Sequence, residues 1–240
     1  MQRTNDIKSN EINPTVAHAE SRTKARLVSY SQPSDEFKQE GLEDVMDLVA
    51  YCARVSNPSN QFNKETSEKL IGYLVKHQHW SPLEMASACI EIDTTRDIAR
   101  QILRHRSFSF QEFSQRYADP TKDLSFMLRE ARLQDTKNRQ NSIENDDKTL
   151  SAMWRIKQEN VIKAALEAYD FAIKNGIAKE QARCVLPEGN TMSKMYMNGT
   201  IRSWIHYLDL RSSHGTQKEH IEVARECAKA IASIFTLKDR

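Results

Sequence analysis

The chain has 240 residues, in which 35 lysines and arginines nearly balance 33 aspartates and glutamates, for a formal net charge of +2. A chain of this length buries roughly 70% of its unfolded surface, so it has ample material for a core. The balance of charge disfavours a broadly basic nucleic-acid-binding domain. The lack of an apolar run of about 18 residues excludes a membrane-spanning helix.

The start of the chain is polar and contains no apolar core of the signal-peptide kind. We expect a flexible tail over residues 1–23 and a single domain over residues 24–240. The cysteines are far apart and form no C-x-x-C pair, which predicts reduced, mostly buried thiols in a cytoplasmic protein and no metal site. They are Cys52, Cys89, Cys184 and Cys227.

The first part of the domain alternates strands and helices. Lys24–Tyr30 is predicted to form a strand and Leu42–Ala53 a helix. Glu65–Lys76 carries its apolar residues on one side, which predicts a second helix. Apolar and polar residues alternate over Ala86–Asp93, the pattern of a half-buried strand.

A helix is predicted to follow that strand directly. Thr94 and Asp97 fit a capping box that opens a helix continuing to about Arg106. Beyond it, the alternation of serine and phenylalanine predicts an extended segment with four side chains on one side. These are Phe110, Glu112, Ser114 and Arg116.

The middle of the chain is polar and then strongly helical. Residues 120–149 predict a surface excursion rather than a domain boundary. A long helix is predicted over Ala152–Lys174, ended by the Asn-Gly pair at 175–176, and a short helix then carries Arg183. Three methionines that follow are predicted to pack in the core or at a subunit interface. They are Met192, Met195 and Met197.

Two helices complete the chain. The first, from Thr200 to Leu210, would place Arg211 on its more buried side, where the guanidinium needs a partner. That partner is either a ligand or the helix C-terminal carbonyls. Thr216 and Glu219 are predicted to cap the last helix, on which His220 is interpreted as a solvent or packing residue. The elements together predict a mixed α+β fold, a β-sheet flanked by helices.

The most informative stretch is RHRSFSFQEFSQRY, over residues 104–117. Arginine presents a planar fork of donors, so arginines gathered beside apolar rings favour a flat, anionic ligand. The same residues also suit single-stranded nucleic acid, through stacking and phosphate contacts. The chain's 6 glycines form no G-x-G-x-x-G pattern and no phosphate-binding loop, so side chains would have to hold any dinucleotide.

Arg104, His105 and Arg106, followed after seven residues by Ser114 and then by Arg116, resemble the signature of the flavin-dependent thymidylate synthases. Further stretches over roughly residues 25–235 are similar to the same family in the same order. They are Ala53-Arg54-Val55-Ser56, His79-Trp80-Ser81-Pro82-Leu83-Glu84, Ala99-Arg100-Gln101, Ala182-Arg183 with Val185-Leu186-Pro187, and then Arg202, His206 and Arg211.

The resemblance implies an enzyme that methylates dUMP to dTMP. Methylenetetrahydrofolate would donate the carbon, and FAD reduced by NADPH would donate the hydride. It also implies a homotetramer whose active sites draw on several chains, with no nucleic-acid or membrane partner. The alternative from the residues alone remains a single-stranded nucleic-acid-binding module.

The resemblance also implies which residues form the site. Those expected around dUMP are Gln101, Arg104, Glu112, Phe113, Ser114, Gln115, Arg116, Arg183 and Arg211. Those expected around FAD are Ser56, Ser81, Arg104, His105, Arg106, Glu112, Thr200, Arg202 and His206. His79 would belong to the folate region. Arg211 and Ser114 are the catalytic candidates, and Ser114 is either a nucleophile or an orienting hydroxyl.

The sequence departs from the family pattern at several positions. Many relatives have Asn at position 111, where this chain has Gln111, and a small residue in place of Gln115. Thr200 stands where an Asn is usual, so it keeps a hydroxyl but loses an amide. Asn198 could supply that amide.

Overall fold

A computed structural model describes residues 23–236 of the chain. The strands in that range are β1 (Lys24–Tyr30), β2 (Ser87–Thr95), β3 (Ser109–Glu112), β4 (Leu133–Gln134), β5 (Ser142–Ile143) and β6 (Met192–Thr200). The helices are α1 (Asp35–Gln39), α2 (Val45–Ala53), α3 (Ser67–Lys76), α4 (Arg96–Ile102), α5 (Pro120–Asp123), α6 (Lys148–Lys174), α7 (Lys179–Ala182), α8 (Ile201–Arg211) and α9 (Lys218–Ala232). Apart from Thr23, the predicted tail lies outside the described residues.

An antiparallel sheet in the order β1-β2-β6-β3 forms the centre of the fold. The strand predicted over Lys24–Tyr30 is confirmed with those bounds. Along β2, Ala88, Ile90 and Ile92 are buried and the residues between them are half-buried, as their alternation predicted. The predicted mixed fold, a sheet with helices packed on it, is confirmed.

The central strand β6 was not predicted. Its sequence MSKMYMNGT has no valine or isoleucine and ends near an Asn-Gly pair, which is typical of a turn. It becomes a strand because it pairs along its whole length with β2, from Ser87 opposite Thr200 to Thr95 opposite Met192, and with β3 on its other edge. Met195 and Met197 are fully buried, so the core role predicted for these methionines is confirmed.

α8 and α9 pack against this sheet and close the main core. Trp204 of α8 is fully buried, and its indole N–H donates to the Ala88 carbonyl at 3.0 Å. A buried Trp of this kind contributes a large apolar area without leaving its donor unsatisfied. α8 is thereby fixed to β2 as well as to β6.

A second apolar cluster lies beneath the long helix α6. It contains Phe126, Ile162, Tyr169 and Leu186, each less than 9% exposed. Residues 120–149 are therefore not only a surface excursion, as predicted, because Phe126 enters this cluster and bridges to Thr191. Its burial was missed because its apolar stretch is short and lies among polar residues.

The helix after β2 is shorter than predicted and has a different cap. β2 continues to Thr95, which is the N-cap of α4, and α4 ends at Ile102 instead of Arg106. Thr94 lies in the strand, since two β-branched residues extend the ladder with β6. Asp97 accepts from the Thr95 hydroxyl at 2.5 Å, so it does not complete a capping box with Thr94.

The extended segment after α4 is also shorter than predicted. β3 ends at Glu112, and Ser114 lies in a turn in which its carbonyl accepts from the backbone N–H groups of Tyr117 and Ala118. Phe110 and Glu112 are half-buried on the same side of β3, as predicted. Ser114 and Arg116 do not continue that side, because the chain turns away where pairing with β6 ends.

The remaining helix ends follow their local capping residues. α2 begins at Val45 rather than Leu42, because the Asp44 side chain accepts from the Asp47 N–H at 2.8 Å. α6 begins at Lys148, four residues before the predicted start, because Asp147 caps it. Its predicted end at Lys174 is confirmed.

α9 begins after Gln217, and no side chain caps it, so the predicted cap by Thr216 and Glu219 is wrong.

The four cysteines are free thiols, but only Cys227 is buried and Cys184 is exposed. The prediction of mostly buried thiols is therefore wrong. No helix within residues 23–236 combines the length and apolarity that crossing a membrane requires.

We predict that Gly199→Ala destabilises the protein. A Cβ at Gly199 would overlap the Phe108 ring, which packs against this point of β6, and overpacking of this kind costs about 1–3 kcal/mol. Gly72→Ala is the matched control, because Gly72 is exposed on helix α3 and has open space around it. It should stabilise by about 0.5–1 kcal/mol. Equal urea-unfolding free energies for the two variants would contradict this packing.

Candidate active site

The arginine-rich segment lies along α8. The Phe108 ring packs edge-on against Trp204, and the His105 ring packs edge-on against Tyr207, each at 4.9 Å between ring centroids. Residues three and four apart share a face of a helix, so Trp204, Tyr207 and Arg211 form one contact surface. That surface holds the segment in register before it enters β3.

Arg211, at the end of α8, reaches His105. Its Nε donates to His105 Nε2 at 2.9 Å, so this nitrogen carries no proton and the ring is neutral. Burial, together with the Arg211 and Arg104 guanidinium groups, lowers the pKa of His105 to about 4. The helix C-terminal carbonyls were one of the two partners predicted for Arg211, the other being a ligand. A neutral ring takes their place, which leaves the positive charge of Arg211 uncancelled.

Several arginines of the predicted site have no carboxylate within ion-pair distance in the part of the chain that the structure describes. Arg104 and Arg106 are exposed, whereas Arg183 and Arg211 are half-buried. A guanidinium that is not matched by a carboxylate is available to an anionic ligand. The unmatched charges fall on residues that the sequence assigned to the site.

Glu112 does not bind an arginine of the Arg-His-Arg motif. Its two oxygens accept from Arg100 Nη2 at 2.7 and 2.6 Å, and Oε1 also accepts from the Ser193 hydroxyl at 2.7 Å. Arg96 and Arg100 both reach Glu188 as well. Neither Arg96 nor Arg100 was assigned a role from the sequence, although their i, i+4 spacing on α4 puts them on one face.

Arg129 is a largely buried arginine for which the sequence patterns predicted no role. Its Nη2 donates to Thr95 Oγ1 at 2.5 Å and to Asp97 at 2.7 Å, and its Nη1 lies 3.2 Å from Glu219. Burial acts to raise the pKa of Glu219, but Arg129 and hydrogen bonds outweigh it, so this pKa is lowered. The neighbouring apolar residue Phe126 was the available signal that this stretch is partly buried.

Other residues expected around the flavin gather at the start of α8 and at a short 3-10 helix, Ser81–Glu84. Arg202 is ion-paired with Glu84. The His206 ring packs edge-on against Trp80, with 4.4 Å between ring centroids. Arg202 and His206 lie one turn apart on α8. Both therefore face the short segment that contains Ser81.

Thr200 and Asn198 differ in how their polar groups are used. Thr200 is the N-cap of α8, and its Oγ1 accepts from the Ser203 N–H at 3.2 Å. Asn198 is exposed on β6. The hydroxyl of Thr200 is thus committed to the helix, whereas the amide of Asn198 faces solvent beside it.

Ser56 and His79 lie away from this arrangement. Ser56 is exposed in the turn after α2, and His79 is exposed after α3, 6.0 Å from the Tyr73 ring. Within residues 23–236, no hydrogen bond, ion pair or ring contact joins either residue to the Arg-His-Arg motif. One chain does not bring these two into direct contact with the motif.

Ser114, Arg116 and Arg183 form a separate group. Arg116 is ion-paired with Glu180 at 3.2 Å, and Arg183 Nε donates to the Glu180 carbonyl at 3.3 Å. The Ser114 hydroxyl accepts only from the Arg116 N–H, at 3.4 Å, among the residues described. Gln115 is 3% exposed, and its Nε2 is buried without a hydrogen-bond partner among the described residues, so the side chain points inward from this turn.

The structure argues against the nucleic-acid alternative. Stacking of successive bases needs aromatic faces that are open to solvent. Phe108, Phe110 and Phe113 are half-buried instead, and Phe108 packs against Trp204 and Phe110. Phe108 and Phe110 therefore pack against the core and do not form a platform for bases.

Comparisons with known proteins agree with the motif. A family model described as "Thymidylate synthase complementing protein" matches residues 40–235. The chain is 46% identical over 211 residues to the probable flavin-dependent thymidylate synthase of Paramecium bursaria Chlorella virus 1, covering 88% of this chain and 94% of the relative. It is 45% identical over 210 residues to the flavin-dependent thymidylate synthase of Synechocystis sp., with the same coverage of both chains. This chain belongs to the flavin-dependent thymidylate synthase family.

The resemblance read from the sequence motifs is thereby confirmed. A solved structure, the UMP/dUMP methylase PolB from Streptomyces cacaoi bound with 5-Br dUMP, is also similar, with a TM-score of 0.72 and 26% identity. That likeness covers 90% of this chain and 92% of the methylase chain. The likeness to this solved structure therefore extends over nearly all of the described residues.

We predict that acid destabilises the fold through its buried histidines. An unfolded imidazole takes up a proton near pH 6.5, but the folded rings resist it until about pH 4 for His105 and about pH 3 for His220. The unfolded state therefore binds more protons across this window, so the free energy of unfolding falls as the pH drops below 6.5. Urea titrations of the wild type and of His220→Asn at several pH values measure this. An equally steep pH dependence in the variant would contradict it.

Proposed function

We propose that this protein methylates dUMP to dTMP, with methylenetetrahydrofolate as carbon donor and NADPH-reduced FAD as hydride donor. The observation that carries the proposal is the state of Arg211, a half-buried guanidinium whose Nε donates to a neutral histidine. Its charge is left for a ligand, and dUMP supplies both a phosphate and a ring on which negative charge can develop. Family membership supports the same reaction.

The donor chemistry of the site fits FAD. No glycine-rich loop is present, so cationic side chains must hold the diphosphate, and exposed Arg104 and Arg106 meet that need. Each charge-assisted contact contributes roughly 1.5–3 kcal/mol. The residues proposed to hold FAD are Ser56, Ser81, Arg104, His105, Arg106, Glu112, Thr200, Arg202 and His206. When bound, FAD supplies the hydride that NADPH provides.

Two of these assignments gain detail from the contacts. Thr200 is committed to capping α8, so we assign the usual flavin-facing amide to Asn198. Glu112 is committed to Arg100 and Ser193, so it acts by fixing Arg100 rather than the Arg-His-Arg motif. His79, exposed beyond α3, is proposed for the folate region.

The residues proposed to bind dUMP fall into two groups that no described contact joins. Gln101, Arg104 and Arg211 lie around the His105 and His220 rings, whereas Ser114, Arg116 and Arg183 lie around Glu180. Arg116 and Arg183 suit the phosphate, and Arg211 suits the uracil edge, where it stabilises developing negative charge. Glu112, Phe113 and Gln115 complete the proposed set, Gln115 through its backbone.

Ser114 is proposed as an orienting hydroxyl. A serine nucleophile needs a general base within hydrogen-bond reach. Among the described residues the Ser114 hydroxyl contacts only a backbone N–H, and Glu112, the nearest carboxylate in sequence, is occupied by Arg100 and Ser193. The hydroxyl is therefore better suited to accept or donate to the nucleotide than to attack it.

We propose a homotetramer in which the two groups meet across subunit contacts. The long helix α6 supports this, because its outward face carries large apolar side chains that a lone chain leaves exposed. They are Leu150, Met153, Trp154, Ile156, Val161 and Phe171. We also propose a cytoplasmic location, supported by the four unpaired cysteines.

The reaction is tested with purified protein reconstituted with FAD. We predict a flavin absorbance band, NADPH oxidation that dUMP stimulates, and dTMP formation once methylenetetrahydrofolate is added. A single-stranded oligonucleotide in place of dUMP should have no effect. NADPH oxidation that is indifferent to dUMP, with no dTMP formed, would overturn the proposal.

We predict that Arg211→Lys lowers turnover by about a hundredfold, since lysine lacks the planar fork that contacts both His105 and the substrate. FAD binding, measured by the flavin absorbance, should be retained. Arg225→Lys on α9 is the matched control, because Arg225 is exposed and is not among the assigned residues. Equal turnover of the two variants would remove Arg211 from its role.

A further inference from the structure

His220 lies at the middle of a chain of hydrogen bonds. It is completely buried, its Nε2 lies 3.1 Å from the Tyr207 hydroxyl, and its Nδ1 lies 3.3 Å from Gln101 Oε1. Gln101 Nε2 donates to Gln217 Oε1 at 2.8 Å, and Gln217 Nε2 donates to Glu219 at 2.9 Å. A residue interpreted from the sequence as solvent or packing thus contacts a residue proposed to bind dUMP.

The Glu219 carboxylate sets the direction of every bond in this chain. A carboxylate only accepts, so Gln217 must present its nitrogen to Glu219 and its oxygen to Gln101. Gln101 then presents its nitrogen to Gln217 and its oxygen to His220. His220 must therefore carry its proton on Nδ1, and its Nε2 accepts from the Tyr207 hydroxyl.

The protonation states agree with this direction. Burial, with Arg211 and His105 nearby, lowers the pKa of His220 to about 3, so the ring is neutral and has one donor and one acceptor. Burial raises the pKa of Tyr207 well above its ordinary value, so its hydroxyl keeps the proton that it donates. Each group in this series of hydrogen bonds therefore has the proton or the free acceptor that the direction requires.

A second neutral ring, that of His105, holds Arg211 and lies beside both Tyr207 and His220. The ring centroids of His105 and His220 lie 4.9 and 5.8 Å from that of Tyr207. Arg211 donates to His105, and His220 donates to Gln101. Arg211 of α8 is therefore held by His105, and Gln101 of α4 is held by His220. Both histidines pack on Tyr207.

We infer that His220 is a positioning residue for dUMP binding, which holds the Gln101 amide in one orientation by donating to its oxygen. The second N–H of Gln101 Nε2 is then the group left for an acceptor oxygen of the nucleotide. A rotated amide would present an oxygen in its place, and an oxygen repels phosphate and carbonyl acceptors. The inference rests on the proposed function, because Gln101 is assigned to dUMP there.

Two variants of His220 separate a positioning role from a packing role. His220→Asn keeps an amide N–H near the place of Nδ1 and loses the acceptor for Tyr207. His220→Gln keeps a polar group near Nε2 and loses the donor to Gln101. Both replace a buried ring with an amide, so a role in stability alone predicts similar dUMP affinities for the two.

We expect His220→Gln to weaken dUMP binding about three- to tenfold, the effect of one lost hydrogen bond, while His220→Asn stays near the wild type. The dissociation constant is measured by calorimetry on FAD-loaded enzyme, with flavin absorbance and thermal unfolding as controls. In a Gln101→Ala background the change at His220 should have no further effect. Gln217→Ala, at an exposed position, should weaken binding in the same way and guards against misfolding of the buried variants.

Equal affinity of His220→Gln and the wild type would overturn the inference, as would an effect that persists in the Gln101→Ala background. So would an unchanged affinity in Gln217→Ala. If the wild type itself binds no dUMP, the proposed function fails instead. The two failures are therefore distinguishable in one set of titrations.

Discussion

The antiparallel ladder between β2 and β6 is the constraint on which the rest of the structure depends. Its register, from Ser87 opposite Thr200 to Thr95 opposite Met192, starts α4 at one end of the sheet and α8 at the other. α8 then runs back along the sheet until Arg211 meets His105 beyond the end of α4. Because both helices continue directly from paired strands, a slip of the register would separate these two side chains.

The second determinant of the site is which of its arginines form ion pairs with carboxylates. Arg96, Arg100 and Arg129 are held by Glu112, Glu188, Asp97 and Glu219, and these pairs tie α4 to the surrounding segments. Arg211 is held by a neutral ring, so it is oriented without losing its charge. Burial of His105 makes this possible, because a protonated ring could not accept from a guanidinium. His105 thereby fixes the orientation of the guanidinium, and Arg211 supplies the positive charge.

Periodicity predicted the elements whose own residues determine them. β1, β2 and the end of α6 have strong alternation or a clear Asn-Gly stop. The Arg-His-Arg motif, together with further stretches in the same order along the chain, indicated the family. β6 was missed because its strand state comes from two partners that are distant in sequence. The turn at Ser114 and the end of α4 depend on where pairing with β6 ends. The role of His220 depends on contacts with α4 and α8, so no local pattern could reveal it.

The most direct test of the proposed site is a crystal structure of the assembled protein with FAD and dUMP bound. We expect the nucleotide to contact Gln101 and Arg211 of one chain, with the His220 and His105 rings behind them, and its phosphate to lie near Arg116 and Arg183. A nucleotide bound away from Arg211, or an Arg211 that has left His105 to pair with a carboxylate, would contradict it.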